Sequence, residues 1–452
     1  MNTLVVGNAY SGIGSADLLA AKGMTPVFFD IGDPYEDHDL YSRFADPEEI
    51  IVYSGTLPSN VLDTINDYVV VADAIPMDDP VVKQLRMMGF TITCEMDLAA
   101  TFDRGRILAV TGTKGKTSAT SLLGKIVRDR TRNAFIVGDD LGSYTDIVCS
   151  TTKDSTTIIK AGAHNLEAID AFHPAISAII NIQPHYMKRY ESAGEYMNVK
   201  ERIMMNQTAE DHVILNYDDI YTRKIGMRLD GEPDGPRPFF FSTMCELKIG
   251  LFRRGDGIVL RDRWGERELM KTSELSVAGK HNLENVFTAV AMAYKYGIPT
   301  DSIVRSCRQF VPVAHRVEYV GTRNGVRFYN NSKGTDVVTA INGIEAMDCP
   351  TYLIGGGYDN GADFGEWIDS FKGKVRKLVL IGQTRERMAG CAKEHGFYDY
   401  VYAEDLEEAV SICTSCANPG EAVLLSPACD CRVMYKNSEE RGEAFRAIVE
   451  RI

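Results

Sequence analysis

The sequence predicts an α/β protein of three domains, the first and last doubly wound and the middle one carrying a small antiparallel addition. Three observations carry this expectation. The chain's 452 residues make about three domains at ~150 residues each. Apolar runs of strand length alternate with helical stretches in the first hundred residues and again beyond residue 312. Between those blocks a strand leads through a glycine-bearing loop into a helix, and a later stretch carries hairpin signals.

The first block, residues 1–103, offers "TLVVG", "PVFFD", "IIVYS", "YVVVAD" and "FTITC" as strands, with "SADLLAAKG" and "PVVKQLRMMG" as helices between some of them. That alternation is Rossmann-like, a parallel sheet with helices on its faces. The early "GNAYSGIG" resembles a dinucleotide fingerprint, but a lone glycine pattern specifies no ligand.

The second block, residues 104–312, begins with the apolar run "RILAV" followed by "TGTKGKTS" and the helical "TSATSLLGKIV". Glycines at 112 and 115 let the backbone turn so that successive N–H groups face an anion at a helix N-terminus. Gly112, Thr113, Lys114, Gly115, Lys116, Thr117 and Ser118 are therefore read as a phosphate loop of a P-loop ATPase domain, binding ATP. Lys116 is expected to reach the outer phosphates and the Thr117 hydroxyl to ligate Mg²⁺. The spacing G-x-x-G-K-T is two residues shorter than the usual motif. Strand, glycines, lysine and threonine in register favour a phosphate loop over a glycine-rich turn with a chance lysine.

Strands "AFIVG", "STTIIK", "ISAIINI" and "HVILNYDD" follow, with a helix around "GEYMNVKERIMMNQ". Residues 237–275 change texture and read as the antiparallel addition, and the helix "NLENVFTAVAMAYKYG" closes the block. The third block, residues 313–452, starts near "VAHRVEYV" and supplies the strands "TYLIGGG", "KLVLIG" and "AVLLS" with helices between them, again Rossmann-like.

Composition excludes several classes. No window approaches the length of apolar residues that spans a bilayer, so no membrane helix is expected. The N-terminus lacks a basic region before its first apolar run, which argues against a signal peptide and for the cytoplasm. A net charge of −14 argues against non-specific nucleic-acid binding. Of ten cysteines, Cys413, Cys416, Cys429 and Cys431 cluster late, and four thiols can hold zinc. Their surroundings read as a helix end and a strand leaving into a loop rather than the short turns of zinc ribbons, so reduced thiols are the expectation.

Over its whole length the chain resembles the Mur ligase family. The resemblance rests on "TGTKGKT", "NYDD", "GKHNLEN", "HRVE", "NNSKGTD", "LIGGGYDNGADF" and "LLSPACDC" followed by "KNSEERG", all in order. It implies that ATP phosphorylates a carboxylate and that an amine then attacks the acyl phosphate. It implies an acceptor-binding first domain, an ATP-binding second domain, and a third that closes over both and brings the amine donor. Carried over residue by residue, the nucleotide contacts include Asn282, Asn285, Arg316, Asn331 and Lys333 beside the loop. Ser11, Gly12 and Asp140 fall to the acceptor, while Thr335, Asn360, Cys431 and Ser438 fall to the donor. Lys116, Lys160, His185 and Lys200 are the candidate catalytic residues, Lys200 matching a lysine that many members carbamylate. The expected partners are a small-molecule acceptor that is UDP-linked in the family and an amine, bound by a monomer.

The chain departs from the family where a second metal belongs. In "KAGAHNLE" Lys160 takes the place of a metal-binding glutamate. In "NIQPHYMK" Tyr186 takes the place of a histidine ligand, His185 sits one residue early, and Lys188 replaces an aspartate. Either Lys160 substitutes electrostatically for the second metal, or that site has decayed. At the donor side Asn360, Cys431 and Ser438 replace a lysine, a serine and an aromatic, which argues against D-glutamate. Asn331 replaces an aspartate near the ribose, and Asp140 replaces an asparagine near the acceptor. Three functions follow from the resemblance: a divergent carboxylate–amine ligase, a true D-glutamate-adding ligase, or a nucleotide-binding scaffold. Retention of the loop with Arg316 and Lys333 favours an active ATP site over a scaffold, and the lysines at 160 and 188 favour the reverse.

Overall fold

Twenty strands, among the described residues, form three sheets in a computed structural model of the chain. The structure describes residues 2–452 except 8–9, 32–42, 56, 74, 139–140, 184–189, 191, 276–279, 311–313, 348, 360 and 433, and the side chains of 59, 67, 193, 280, 281, 338 and 342. The chain divides into two compact units, Met1–Glu274 with Glu284–Gln309, and Leu275–Leu283 with Phe310–Ile452. Asp140, His185, Tyr186, Lys188 and Asn360 lie outside the described residues.

The first sheet comprises β1 (Asn2–Val6), β2 (Thr25–Asp30), β3 (Ile51–Ser54), β4 (Ile65–Val71) and β5 (Thr91–Cys94), in the order β3-β2-β1-β4-β5. Every pairing is parallel. Val5, Phe28 and Val70 pack on one face, and Leu4, Val6, Val27 and Val69 on the other. Burial on both faces explains why these strands read as continuous apolar runs rather than alternating ones. Strand order reverses between β1 and β4, which opens a crevice at their C-terminal ends, the usual ligand position in such sheets.

The second sheet contains β6 (Arg106–Thr111), β7 (Ala134–Val137), β8 (Thr156–Lys160), β9 (Ile176–Ile179), β10 (His212–Asn216), β11 (Arg237–Ser242), β12 (Gly250–Arg254), β13 (Gly257–Asp262) and β14 (Gly265–Lys271). Its order is β14-β13-β12-β11-β10-β9-β6-β8-β7, which sets β6 between β8 and β9. The antiparallel part is smaller than the sequence suggests. β11 pairs parallel with β10, because the helix Ile220–Leu229 between them makes a crossover rather than a hairpin. Antiparallel pairing is confined to β12–β13 and β13–β14.

The second unit carries β15 (Glu318–Arg323), β16 (Val326–Asn330), β17 (Thr351–Gly357), β18 (Val375–Gly382), β19 (Tyr400–Tyr402) and β20 (Ala422–Leu425), ordered β15-β16-β20-β17-β18-β19. The hairpin β15–β16 and the short β19 are absent from the sequence reading. The hairpin turns at Asn324 and Gly325, both at positive φ (50° and 78°), and "RNGV" is its signal in the sequence. Cys413 and Cys416 lie on the helix Leu406–Cys416, and Cys429 and Cys431 follow β20. Burial pushes the Cys429 thiol up to about 11, which keeps it protonated near neutrality. Among the described residues no helix is long and apolar enough to cross a membrane.

Candidate functional site

The loop 112–115 joins the buried end of β6 to the helix Lys116–Arg128. Gly115 caps that helix at φ +84°, and a Cβ there would lie 1.9 Å from Asn285 Oδ1. Backbone conformation and close approach therefore both require glycine. The loop is tied down from one side: Thr113 N donates to Asn181 O at 3.0 Å and Lys114 N to Asn181 Oδ1 at 2.9 Å. The N–H groups of the helix's first turn have no intrahelical acceptor, which suits this end to an anion. Lys116 folds over the loop, its Nζ donating to Gly112 O at 2.9 Å and Thr113 O at 3.2 Å. Thr117 and Ser118 occupy the same first turn and are partly exposed.

Two further lysines stand at this edge of the sheet. Lys200 is 1% exposed, donates to Thr111 Oγ1 at 3.1 Å and lies 5.4 Å over the Tyr196 ring. The Tyr196 hydroxyl in turn is 3.1 Å from Thr113 Oγ1, so one helix, Ala193–Glu201, braces both sides of Gly112. Lys160 ends β8, paired beside Val110 of β6, and is 8% exposed. The sequence candidates Lys116, Lys160, Lys200, the loop and Asn285 are thus brought together, and Asn282 stands in the first turn of Asn285's helix, Lys280–Tyr296.

A cavity of ≈ 510 Å³ opens where the crevice of the first sheet meets the ends of β7 and β8. Its lining includes Tyr10, Ser11, Asp73, Glu95, Asp146 and Lys160. Ser11 opens the helix Tyr10–Ala21, and its hydroxyl accepts from Asp73 N at 3.0 Å. Gly12 packs against the turn after β1, where a Cβ would meet Gly7 O at 2.2 Å. Glu95 Oε1 accepts from Ser143 Oγ (2.7 Å), Tyr144 N (3.0 Å) and Thr145 N (2.9 Å). Burial nevertheless raises its pKa above the ordinary value, the hydrogen bonds offsetting only part of the effect. The Tyr10 hydroxyl donates to Asp146 at 2.8 Å. Sequence reasoning missed all three carboxylates; Asp73, directly after an apolar strand, carries the clearest signal.

In the second unit Arg316 lies between His315 (φ 64°) and Val317 (φ 48°). A β-branched residue in the left-handed region is strained, a feature that gathers at functional loops. His315 is buried with its Nδ1 2.9 Å from Asn330 Nδ2, and its carbonyl accepts from Lys333 N at 3.0 Å. Lys333 Nζ pairs with Glu439 at 3.1 Å. The Asn331 amide is committed to the fold, donating to Thr339 O at 3.2 Å and Ser426 Oγ at 3.0 Å. Arg441, which the sequence reading passed over, is 1% exposed and links two candidate segments. It donates to Ser332 O at 2.8 Å, beside Lys333, and to Cys429 O at 3.2 Å, two residues before Cys431. Ser438 opens the helix Ser438–Arg451 and its carbonyl accepts from Ser332 Oγ at 2.7 Å, while Thr335 is partly buried.

Residues 110–293 match the Mur ligase middle domain, and residues 315–429 match the Mur ligase glutamate ligase domain. A UDP-N-acetylmuramoylalanine--D-glutamate ligase from Lachnospira eligens is 38% identical over 447 residues, covering 99% of this chain and 98% of its own. One of the same name from Lachnoclostridium phytofermentans is 39% identical over 446 residues, covering 99% and 97%. The structure of MurF from Acinetobacter baumannii superposes with a TM-score of 0.56 at 14% identity, over 100% of this chain and 93% of that one, which is a likeness of fold.

Proposed function

Because the chain belongs to the Mur ligase family of ATP-dependent ligases, we propose that it joins a carboxylate to an amine through an acyl phosphate, with substrates changed from those of the D-glutamate ligases. The observation that carries this is the phosphate loop, in which Gly115 leaves no room for a side chain beside Asn285 and Lys116 overlies the loop backbone. ATP phosphates would sit on the first-turn N–H groups of the helix Lys116–Arg128, with Lys116 taking charge from the outer phosphates. Asn282, Asn285, Asn331, Arg316 and Lys333 are proposed as further nucleotide contacts on the family resemblance.

The acceptor carboxylate attacks the γ-phosphorus, the bond to the β-phosphate oxygen breaks, and ADP departs. The donor's amine lone pair then attacks the acyl carbon, phosphate leaves with the C–O electron pair, and the new amide nitrogen loses its proton. Lys116, and Lys160 beside the acceptor, lower the repulsion between the two anions that must meet in the first step. Thr117 is partly exposed in the helix's first turn, so its hydroxyl fits one Mg²⁺, which when bound shields phosphate charge. A second divalent ion does not fit beside the buried ammonium of Lys160.

The domains are proposed as 1–103 for the acceptor, 104–312 for ATP, and 313–452 for the donor, in a cytoplasmic enzyme. With Asn360, Cys431 and Ser438 in the donor region beside Thr335, D-glutamate is expected to be a poor donor. A second reading, true ligation of D-glutamate to UDP-N-acetylmuramoyl-L-alanine, is favoured by the full-length identity of 38–39% to relatives of that name. Phosphate release decides between them. The proposal expects little release with that pair and ADP formation with another acid and amine. Release at ordinary enzymatic rates, on the order of 1–1000 per second, from the muramoyl substrate and D-glutamate supports the second reading instead.

A further inference from the structure

Two segments of the second unit that carry site candidates leave neighbouring strands. β16 and β20 run parallel, Asn330 beside Leu425, and continue into residues 331–335 and 426–431. Beyond the bond from Asn331 N to Leu425 O at 2.8 Å, the segments are tied by Ala428 N to Gly334 O at 3.0 Å. Among the described residues five non-glycine residues have positive φ. Three of them, His315, Val317 and Ala428, stand in these segments or beside Arg316. Backbone in that region persists only where its surroundings hold it.

The helix Ser438–Arg451 supplies that hold through Arg441, which is buried and donates to both segments. Its Nε donates to Ser332 Oγ at 3.0 Å and its Nη2 to Ser332 O at 2.8 Å. Nη1 and Nη2 both reach Cys429 O at 3.2 Å. Ser332 Oγ donates in turn to Ser438 O at 2.7 Å, which closes a ring through the helix. A planar guanidinium spans two backbone carbonyls at once, and a single ammonium does not reproduce that fork. The next residue, Gly442, leaves room for His315, because a Cβ there would lie 2.2 Å from His315 Nδ1. The Gly442 carbonyl accepts from Asn330 Nδ2 at 3.0 Å, and His315 O accepts from Lys333 N at 3.0 Å. The start of one helix therefore braces the segments that carry Arg316, Lys333 and Cys431.

Resting on the ligase reading above, we propose that Arg441 is a positioning residue. It fixes the backbone of Ser332 against that of Cys429, and so sets Lys333, the proposed nucleotide contact, in register with the donor segment at Cys431. Its side chain is buried and acts through Lys333 rather than on a substrate. A residue that only stabilised the unit would loosen the whole sheet when removed. One that positions loosens the two segments and leaves β17 and β18 protected.

The test combines amide hydrogen exchange with MgATP calorimetry on the full-length protein and its Arg441→Ala variant. Exchange at Lys333, Gly334 and Ala428 is expected to quicken about tenfold or more, with the amides of β17 and β18 unchanged. MgATP affinity should fall about three- to tenfold. Millimolar guanidinium ion, which fits the space the side chain leaves, should restore both. Lys333→Ala should weaken MgATP by a similar factor, and adding Arg441→Ala to it should then cost nothing more. Uniformly faster exchange, no rescue by guanidinium, or additive losses would overturn the proposal. Arg441→Lys keeps the charge without the fork, and it carries the exchange and affinity measurements if Arg441→Ala does not fold. Wild-type protein that binds no MgATP refutes the ligase reading itself. Saturable MgATP binding whose affinity Arg441→Ala leaves unchanged refutes only the role given to Arg441.

Discussion

The loop 112–115 follows β6, the cavity beside Lys160 meets the ends of β7 and β8, and the two differ in the groups that line them. At the loop the features suit an anion: Gly115 at positive φ, first-turn N–H groups, and Lys116 over the backbone. At the cavity, the lining includes three carboxylates, Asp73, Glu95 and Asp146, beside Lys160. Phosphoryl transfer makes the same demand whatever is being ligated, so its geometry is fixed by the chemistry. Acceptor recognition resides in side chains on a crevice that the fold supplies anyway, and charge there can be exchanged without moving a strand.

The strongest way to break this comparison is at the loop. Lys116→Ala is expected to lower kcat by about 10²–10³-fold, the scale of losing one strong charge contact in a transition state, while the melting temperature stays close to that of the parent. Unchanged ATP affinity and turnover would remove the loop from the mechanism.

Lys160 joins the two regions, and Lys160→Glu sharpens the contrast between them. If its ammonium holds the acceptor carboxylate, the reversal should reduce turnover by about a hundredfold, and ATP should still bind with a single Mg²⁺. Near-neutral behaviour would mean that the second metal site has simply decayed. A nucleotide complex holding two Mg²⁺ ions, one beside residue 160 of the unmodified protein, would refute the role outright.

A smaller effect tests how tightly the loop is built. Gly115→Ala carries about 1–2 kcal/mol for a left-handed backbone with a side chain, plus the overlap with Asn285 Oδ1. Adding Asn285→Ala should recover the overlap and leave the backbone cost, so a double-mutant cycle in urea should show favourable coupling. Strict additivity would place the two residues out of contact.

The smallest effect belongs to the cavity wall and depends on pH. Glu95 has its folded pKa raised above the ordinary 4.5 by burial. Such a group contributes stability below its unfolded pKa and loses it as pH rises through the folded value. Glu95→Gln keeps an oxygen for Ser143, Tyr144 and Thr145 but never ionises. The variant should melt slightly above the parent at pH 7, with the difference closing as pH falls toward 4.5. A lower melting temperature for the variant at pH 7 would mean that the ionised carboxylate is better stabilised than its burial implies.

The loop was legible in the sequence because its parts are contiguous: an apolar strand, two glycines, a lysine and a threonine within a dozen residues. The cavity was not, because Asp73, Glu95 and Asp146 come from three separate segments that only the fold gathers. Arg441 was hidden for a similar reason. It stands within the quoted "KNSEERG" with no role assigned, and its partners Ser332 and Cys429 are assembled by the sheet. The class of fold was readable from alternating strands and helices, but β11 was assigned to the antiparallel part because texture does not reveal whether a helix crosses over between two strands. The hairpin β15–β16 did leave a trace, the Asn-Gly pair at its turn.

The central claim, a retained nucleotide site beside an altered acceptor site, is tested most directly by titrating the wild-type protein in one calorimeter with MgATP and then with UDP-N-acetylmuramoyl-L-alanine. The account expects MgATP to bind saturably and the muramoyl nucleotide to show no saturable heat. Tight, saturable binding of the muramoyl nucleotide, followed by phosphate release when D-glutamate is added, would contradict it.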